Sequence, residues 1–266
     1  MKIALIGAGN LATRLGLALV EKGQTVAQVY SRTEASAQAL GKMLQCPATT
    51  VLADVCTDAD LYVLAVKDAA FADVAAALVP RRRQALFVHT AGSLPMSVWE
   101  GIAPRHGVFY PMQTFSKLRS VDFSSIPIFI EANNAGDLDC LKALAATLSG
   151  SVFEADSRQR RALHLAAVFA CNFTNHMYAV CGHLLDEAGL PFDVMLPLID
   201  ETAAKVHDLS PSQAQTGPAV RYDENVITRH LEALAVHPEW QDLYERISKS
   251  IHHDKLRFDQ NQGSCF

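Results

Sequence analysis

The stretch "IALIGAGNLA", residues 3–12, decides how the rest of the chain is read. An apolar run of strand length leads into Gly7, Gly9 and Ala12, which fit G-x-G-x-x-A between a strand and a helix. In that pattern the first glycine permits a tight turn and the second lets the backbone approach a pyrophosphate. The small third residue allows a helix to pack closely, and the helix N-terminus faces the phosphates. Leu11, Leu15 and Leu19 then recur at helical spacing, Gly23 is a stop signal, and "TVAQVY" (25–30) resumes an apolar strand. The pattern predicts a β-α-β unit whose turn, Gly7, Ala8, Gly9, Asn10 and Leu11, holds a dinucleotide. The alternative is a degenerate unit that binds nothing.

Outward from this unit, "LYVLAV" (61–66) and "QALFVHT" (84–90) are continuous apolar runs separated by an Ala-rich helical stretch at 69–79. Parallel strands alternating with helices give an α/β fold with a doubly wound, mainly parallel, Rossmann-like sheet. "GVFYPM" and "IPIFIE" add strands, and 138–148 is an amphipathic helix with Leu141, Leu144 and Leu148 on one side. "SVFEA" (151–155) closes this half. Beyond 157 helix-compatible sequence dominates, broken at Gly189-Leu190-Pro191 and by the polar loop "LSPSQAQTGP". The expected organisation is a dinucleotide-binding domain over 1–155 and an all-α domain over 156–266 that provides a cleft and a dimer interface.

The end of the second strand selects the dinucleotide. No Asp or Glu lies between Glu21 and Glu34, so no acid is placed to hold both ribose hydroxyls. Ser31, Arg32 and Thr33 stand there instead, a planar guanidinium flanked by hydroxyls, which suits a 2′-phosphate and hence NADP(H). A solvated arginine in an ordinary loop is the other reading. At the carboxyl ends of the next strands, where open α/β sheets bind ligands, backbone groups of Ala65, Val66 and Lys67 flank the dinucleotide, and His89, Thr90 and Ser93 reach its nicotinamide end. Asp68 reads equally as a helix N-cap, and His89 as a satisfied histidine at a strand end.

Other classes are disfavoured. The chain has 266 residues, half of them apolar, with a net charge of -5 and a pI near 6.0. That balance makes no case for nucleic acid or an anionic membrane and favours a small-molecule substrate. Met1-Lys2 runs straight into the first strand, which does not read as a signal peptide, so a cytoplasmic setting is expected. Cys46, Cys56, Cys140, Cys171, Cys181 and Cys265 show neither CxxC nor zinc-like spacing and are expected to be reduced, with Cys171 and Cys181 buried. His176, His183 and Glu187 form no compact metal pattern, so no metal is expected. Arg81, Arg82 and Arg83 read as a solvated turn.

The apolar segment 163–185 carries two Asn and three His, too costly for a membrane span, and reads as a buried helix. Within it His164, Val168, Asn172 and Asn175 fall in one stripe. His164 suits a proton donor and Asn172 a group that orients a carbonyl or amide. Both also fit a purely structural role, tying helices together.

The segments "GAGNLA", "HTAGSLP" (from His89), "YPMQTF" (from Tyr110), "LHLAAVFACNF" (from Leu163) and "TGPAVRYDENVITRHLEAL" (from Thr216) resemble a family nearly along the full length. It is the family of Rossmann-like NADP oxidoreductases with an uncharacterised C-terminal helical domain, related to pyrroline-5-carboxylate reductase, deazaflavin-dependent NADP oxidoreductases and β-hydroxyacid dehydrogenases. The chain departs from it at Tyr110, Ala91 and Tyr222, where the family often has His, Ser and Gly. The resemblance implies an all-helical second domain and a homodimer, and implies no substrate. The Thr216-Gly217-Pro218 segment reads as a tight turn before a helix capped by Asp223. Arg221 reads either as a carboxylate ligand or as a partner for an acidic helix.

These readings lead to an NADPH-dependent oxidoreductase acting on a small carbonyl or imine, with His164 and Asn172 as catalytic candidates. Two alternatives stand beside it. The Lys-x-x-x-Asn pair of β-hydroxyacid dehydrogenases is absent at 164–168, which suits a non-catalytic NADP(H) sensor or interaction protein. The other is an NADPH:flavin or deazaflavin reductase.

Overall fold

The computed structural model describes residues 1–263 and divides them into two compact units, Met1–Asn172 and the part from Phe173 onward. The first contains strands β1 (Lys2–Ile6), β2 (Thr25–Tyr30), β3 (Ala48–Thr49), β4 (Leu61–Leu64), β5 (Leu86–His89), β6 (His106–Pro111), β7 (Ile128–Ala132) and β8 (Val152–Glu154). Its helices are α1 (Asn10–Glu21), α2 (Glu34–Leu44), α3 (Phe71–Leu78), α4 (Ala135–Leu148) and α5 (Ser157–Ala167). The strand order is β3-β2-β1-β4-β5-β6-β7-β8, parallel except between β6 and β7. This is the expected α/β sheet, and the order in which its strands are added reverses at the β1–β4 pair, the switch point where such sheets open a crevice.

Side-chain alternation assigns the two faces of the sheet. Ile3 and Leu5 of β1, Val63 of β4 and Val88 of β5 join α1, α2 and α4 through Leu15, Leu19, Leu40, Leu44, Leu141, Leu144 and Leu148. Ala4, Ile6, Tyr62, Leu64 and Phe87 face the other way onto Phe71, Val74 and Leu78 of α3 and the buried Trp99. Both faces are covered, which is why the central strands read as continuous apolar runs.

The second unit begins inside a long helix. α5 passes through a π-helical segment, Val168–Phe173, into α6 (Thr174–Glu187). There follow α7 (Leu196–Asp208), α8 (Pro211–Ala214), α9 (Pro218–Arg221), α10 (Glu224–Ala233) and α11 (Pro238–Gly263). The "LSPSQAQTGP" stretch is therefore not all loop, because a Ser210 capping box and Pro211 start the short α8. Asp223 caps α10 as expected, accepting from the Val226 amide at 3.3 Å. Tyr222 sits at φ +51, ψ +53, a left-handed position that favours glycine.

Expectations about burial are corrected in segment 163–185 and at Arg82. Segment 163–185 is not buried within the chain: Leu165, Phe169 and Phe173 are 60%, 62% and 50% exposed, and so is Cys171. In the second unit only Ala219, Ile227 and Ser248 of the described residues are buried. Arg82 is not solvated, since its guanidinium donates to the carbonyls of Val55, Cys56 and Leu78 and is 3% exposed. Five cysteines, 46, 56, 140, 171 and 181, are free thiols, while Cys265 lies outside the described residues.

Candidate functional site

The glycine-rich turn is shaped by two demands on one residue. Gly7 adopts φ +124, and a Cβ there would lie 2.3 Å from the Ala65 carbonyl oxygen. Only glycine satisfies both. Gly9 is the N-cap of α1, and a Cβ at Gly9 would meet nothing within 4 Å, so open space lies in front of the helix N-terminus. No acidic residue occupies the first turn of α1, leaving its amides to favour an anion. Ala12 is buried beneath the turn, as its spacing predicts. Gly16, which lies outside that motif, also lets α1 pack closely. A Cβ on Gly16 would lie 2.8 Å from the Cδ1 atoms of both Leu5 and Leu44. Its signal was a small residue one further turn along, in "GNLATRLG".

A ladder of backbone bonds brings the other predicted segments to the same edge. The Gly7 amide donates to Tyr30 O at 2.8 Å, Ala65 N to Ile6 O at 2.8 Å, and Thr90 N to Leu64 O at 3.2 Å. Ser31, Gly7, Ala65 and Thr90 therefore follow four neighbouring strand ends in register. Arg32 and Thr33 are exposed, and Arg32 makes no hydrogen bond or ion pair among the described residues. Thr33 is the N-cap of α2 with no side-chain cap bond, so its hydroxyl is uncommitted. Glu34, the first acid of α2, is turned to Gln38. Three free donors beside a glycine turn and a helix N-terminus make a cradle that fits a phosphate monoester.

Thr90 and Ser93 are largely committed to the protein. The Thr90 hydroxyl lies 3.5 Å from Leu64 O, and the Ser93 hydroxyl donates to Asp68 at 2.6 Å. Asp68 thus ties the loops after β4 and β5 together and does not cap a helix. Lys67 holds the N-cap position, with no side-chain bond.

His89 lies inside the unit. It is 1% exposed, 5.8 Å edge-on to Phe71 and 6.4 Å stacked on Trp99. Its Nδ1 accepts from the Ala91 amide at 3.2 Å. Burial, with a contribution from the Arg160 charge, lowers its pKa to about 3, so the ring is neutral. The Pro95 carbonyl partly opposes that shift without reaching hydrogen-bond geometry at Nε2, which has no partner. His89 contributes backbone to the edge while its ring belongs to the core.

A second group of residues surrounds α5. Asp156 and Gln159 form a capping box at its start. Arg160, 1% exposed, donates to Glu131 Oε2 at 2.5 Å, to Leu94 O at 2.6 Å and to the Ser157 hydroxyl at 3.3 Å. Ser157 in turn donates to Glu131 and accepts from the Met96 amide at 2.8 Å. This network joins α5 to β7 and to the loop after β5. One turn on, His164 Nδ1 lies 3.4 Å from the Tyr110 hydroxyl. Gly92 fits between them, since a Cβ there would come within 2.8 Å of His164 Nδ1 and 2.9 Å of Tyr110 Cζ. His164 is therefore brought to the loop after β5 and the end of β6.

Asn172 is exposed and lies in the π-helical segment, where the 3.6-residue spacing of the proposed stripe does not hold. Gln113 is turned to its neighbour Thr114. Arg14 of α1 donates to the carbonyls of Ser116 and Lys117, holding the segment after β6 across the first helix.

Among the described residues no cluster of His, Cys, Asp and Glu is arranged to hold a metal. His183 stacks on Trp240 at 5.7 Å, and Glu187 pairs with His237 at 2.9 Å. Among the described residues no helix is long and apolar enough to cross a membrane. A polar hollow of about 690 Å³, lined by Asp58, Asp60, Arg81, Arg83 and Arg105, opens at the amino ends of β4 and β5. That is the edge opposite the glycine turn, and its charges are of mixed sign.

Residues 2–92 match the family described as NADP oxidoreductase coenzyme F420-dependent, and residues 126–251 match a domain of unknown function, DUF2520. A Bacteroides fragilis protein of known structure, to which an NADP oxidoreductase activity is ascribed, is 60% identical. The match has a TM-score of 0.93 and covers 95% of this chain and 98% of that one. A Thermotoga maritima protein is 23% identical over 97% and 99% of the two chains, with a TM-score of 0.70. An imine reductase from Myxococcus stipitatus, solved with NADP+, is 15% identical over 98% and 95%, with a TM-score of 0.64, and shares the fold. No curated relative matches the chain.

Proposed function

Because the chain belongs to the family of NADP oxidoreductases that carry the DUF2520 domain, we propose that it uses NADPH to reduce a small carbonyl or imine. The observation that carries the cofactor choice is the free Arg32, with Ser31 and Thr33, one hydrogen bond away from the Gly7 turn. In this reading Gly7, Ala8, Gly9, Asn10 and Leu11 hold the pyrophosphate, and Ser31, Arg32 and Thr33 hold the 2′-phosphate. Backbone at Ala65, Val66, Lys67, His89 and Thr90 lines the route toward the nicotinamide. The bound nicotinamide supplies a hydride to the acceptor carbon. The chain's own task is to orient the acceptor and deliver a proton to its oxygen or nitrogen. His164 is assigned the proton, which its exposed ring regains from water, and Asn172 the orientation.

The test is oxidation of NADPH in the presence of 2-oxoacids, aldehydes, cyclic imines, and a flavin or deazaflavin. Turnover with a carbonyl or imine supports the reading, and turnover with the deazaflavin alone replaces the substrate class. Tight NADPH binding with no turnover on the whole panel overturns it in favour of a sensor.

The same proposal makes the protein a cytoplasmic homodimer, with residues 1–155 as the cofactor domain and the helical part from 156 as the source of the interface. The helical unit exposes Leu190, Val194, Leu198, Val206, Leu209 and Val236, and holds an apolar hollow of about 310 Å³ lined in part by Leu184, Trp240, Leu243 and Ile247. So much exposed apolar surface is the mark of an association face. Sedimentation equilibrium is expected to give twice the chain mass, and a monomer at micromolar concentration would refute it.

A further inference from the structure

The assignment of His164 above leaves open what holds its ring. Tyr110, next to last in β6, lies on the sheet face opposite Phe109, whose ring joins the α1, α2 and α4 core. This is the face on which Phe129 and Glu131 of β7 lie and onto which α5 is bolted by Arg160. The phenol is 8% exposed, and its only hydrogen-bond partner among the described residues is His164 Nδ1. A buried hydroxyl proton needs an acceptor, and here one atom offers itself. Burial raises the Tyr110 pKa, with Arg160 partly offsetting it, so the phenol keeps its proton through the neutral range. The rings meet edge-on, centroids 6.4 Å apart at 70°, in the gap that Gly92 leaves by having no Cβ.

We infer that Tyr110 is the positioning residue for His164: its hydroxyl donates to Nδ1, fixes the neutral ring in the Nε2–H form, and leaves Nε2 as the nitrogen that meets the acceptor. A hydroxyl serves both charge states of the ring, donating to Nδ1 when the imidazole is neutral and accepting from Nδ1–H when it is an imidazolium. As an imidazolium the ring gives its Nε2 proton to the acceptor and is left neutral with Nδ1–H donating to the phenol oxygen; water then returns a proton to Nε2, and loss of the proton on Nδ1 restores the Nε2–H form held by the Tyr110 hydroxyl. Gly92 belongs to the same device, since a methyl group at that position occupies the space of the Tyr110–His164 contact.

The inference rests on the proposed role of His164, and one measurement separates the two. In protein labelled with ¹⁵N-histidine, with the His164 signals identified from His164→Gln, two-bond ¹H–¹⁵N correlations report the tautomer without any substrate. In the neutral ring the wild type is expected to show Nε2–H as the predominant form of His164, and Tyr110→Phe and Gly92→Ala to show an added Nδ1–H fraction. Unchanged His164 signals in a folded Tyr110→Phe variant would overturn the inference, whatever the activity. With an acceptor that turns over, Tyr110→Phe is expected to lower kcat by about tenfold while KM and NADPH affinity stay within about twofold, the signature of lost orientation at the reacting group. An equal loss in NADPH affinity would instead mark Tyr110 as a structural support. If no acceptor turns over, the catalytic reading fails while the tautomer result still decides the pairing.

Discussion

The Arg160–Glu131 pair gives a prediction in which sign and size both follow from burial. The guanidinium side chain is 1% exposed and its carboxylate partner 17% exposed. Glu131→Leu leaves a cation inside the protein with only Leu94 O and the Ser157 hydroxyl to face, and should cost about 3–5 kcal/mol. Arg160→Met leaves a carboxylate that still reaches water and the Ser157 hydroxyl, and should cost less, about 1–3 kcal/mol. The double variant removes both charges and replaces them with apolar groups, so it should fall within about 2 kcal/mol of the wild type. The cycle then closes with a coupling of about 6 kcal/mol at the middle of these ranges and no less than about 2 kcal/mol, well outside additivity. Urea unfolding at pH 7, with slopes compared to exclude a change in denatured-state compactness, measures all four proteins. A double variant as unstable as the sum of the two single variants would refute the view that the pair is held by mutual compensation.

Two further predictions concern the core. The folded chain keeps His89 neutral down to about pH 3, whereas the unfolded chain takes a proton there below its ordinary value near 6.5. Stability is therefore lost as pH falls through that window, by about 1.4 kcal/mol per pH unit from this group. Between pH 7 and 5 the wild type should lose about 2 kcal/mol more than His89→Leu in urea titrations, and equal losses would show that His89 is protonated in the folded state. Gly16→Ala tests packing against helix propensity. Propensity alone favours alanine by about 1 kcal/mol, but the new methyl meets Leu5 and Leu44 at 2.8 Å and overpacking costs about 1–3 kcal/mol. A lowered melting temperature is expected, and a raised one would contradict the contact.

What could be read from the residues follows local physics. The glycine turn, the five central strands and the helices with Leu15 and Leu19 or Leu141, Leu144 and Leu148 on one side were legible. Apolar periodicity and backbone conformation are encoded within a few residues. Arg82 looked like part of a solvated charge run because the carbonyls it satisfies lie up to 27 residues away. His89 looked available because nothing local reveals that Phe71 and Trp99 close over it. Tyr110 and His164 are 54 residues apart and meet only through the packing of α5 on the sheet. The stripe drawn from His164 to Asn175 assumed an uninterrupted α-helix, and a π segment carries no periodic signal. Apolar residues at 163–185 were assigned to a core, although periodicity does not say whether an apolar face is covered by the same chain.

The central claim is that the end of β2 reads a 2′-phosphate, and the direct measurement is the dissociation constant of NADPH and of NADH for the wild type and Arg32→Ala. The wild type should prefer NADPH, and Arg32→Ala should weaken NADPH binding by about 1.5–3 kcal/mol, the worth of a charge-assisted contact, with little change for NADH. Equal losses for the two cofactors, or a wild type that does not distinguish them, would contradict it.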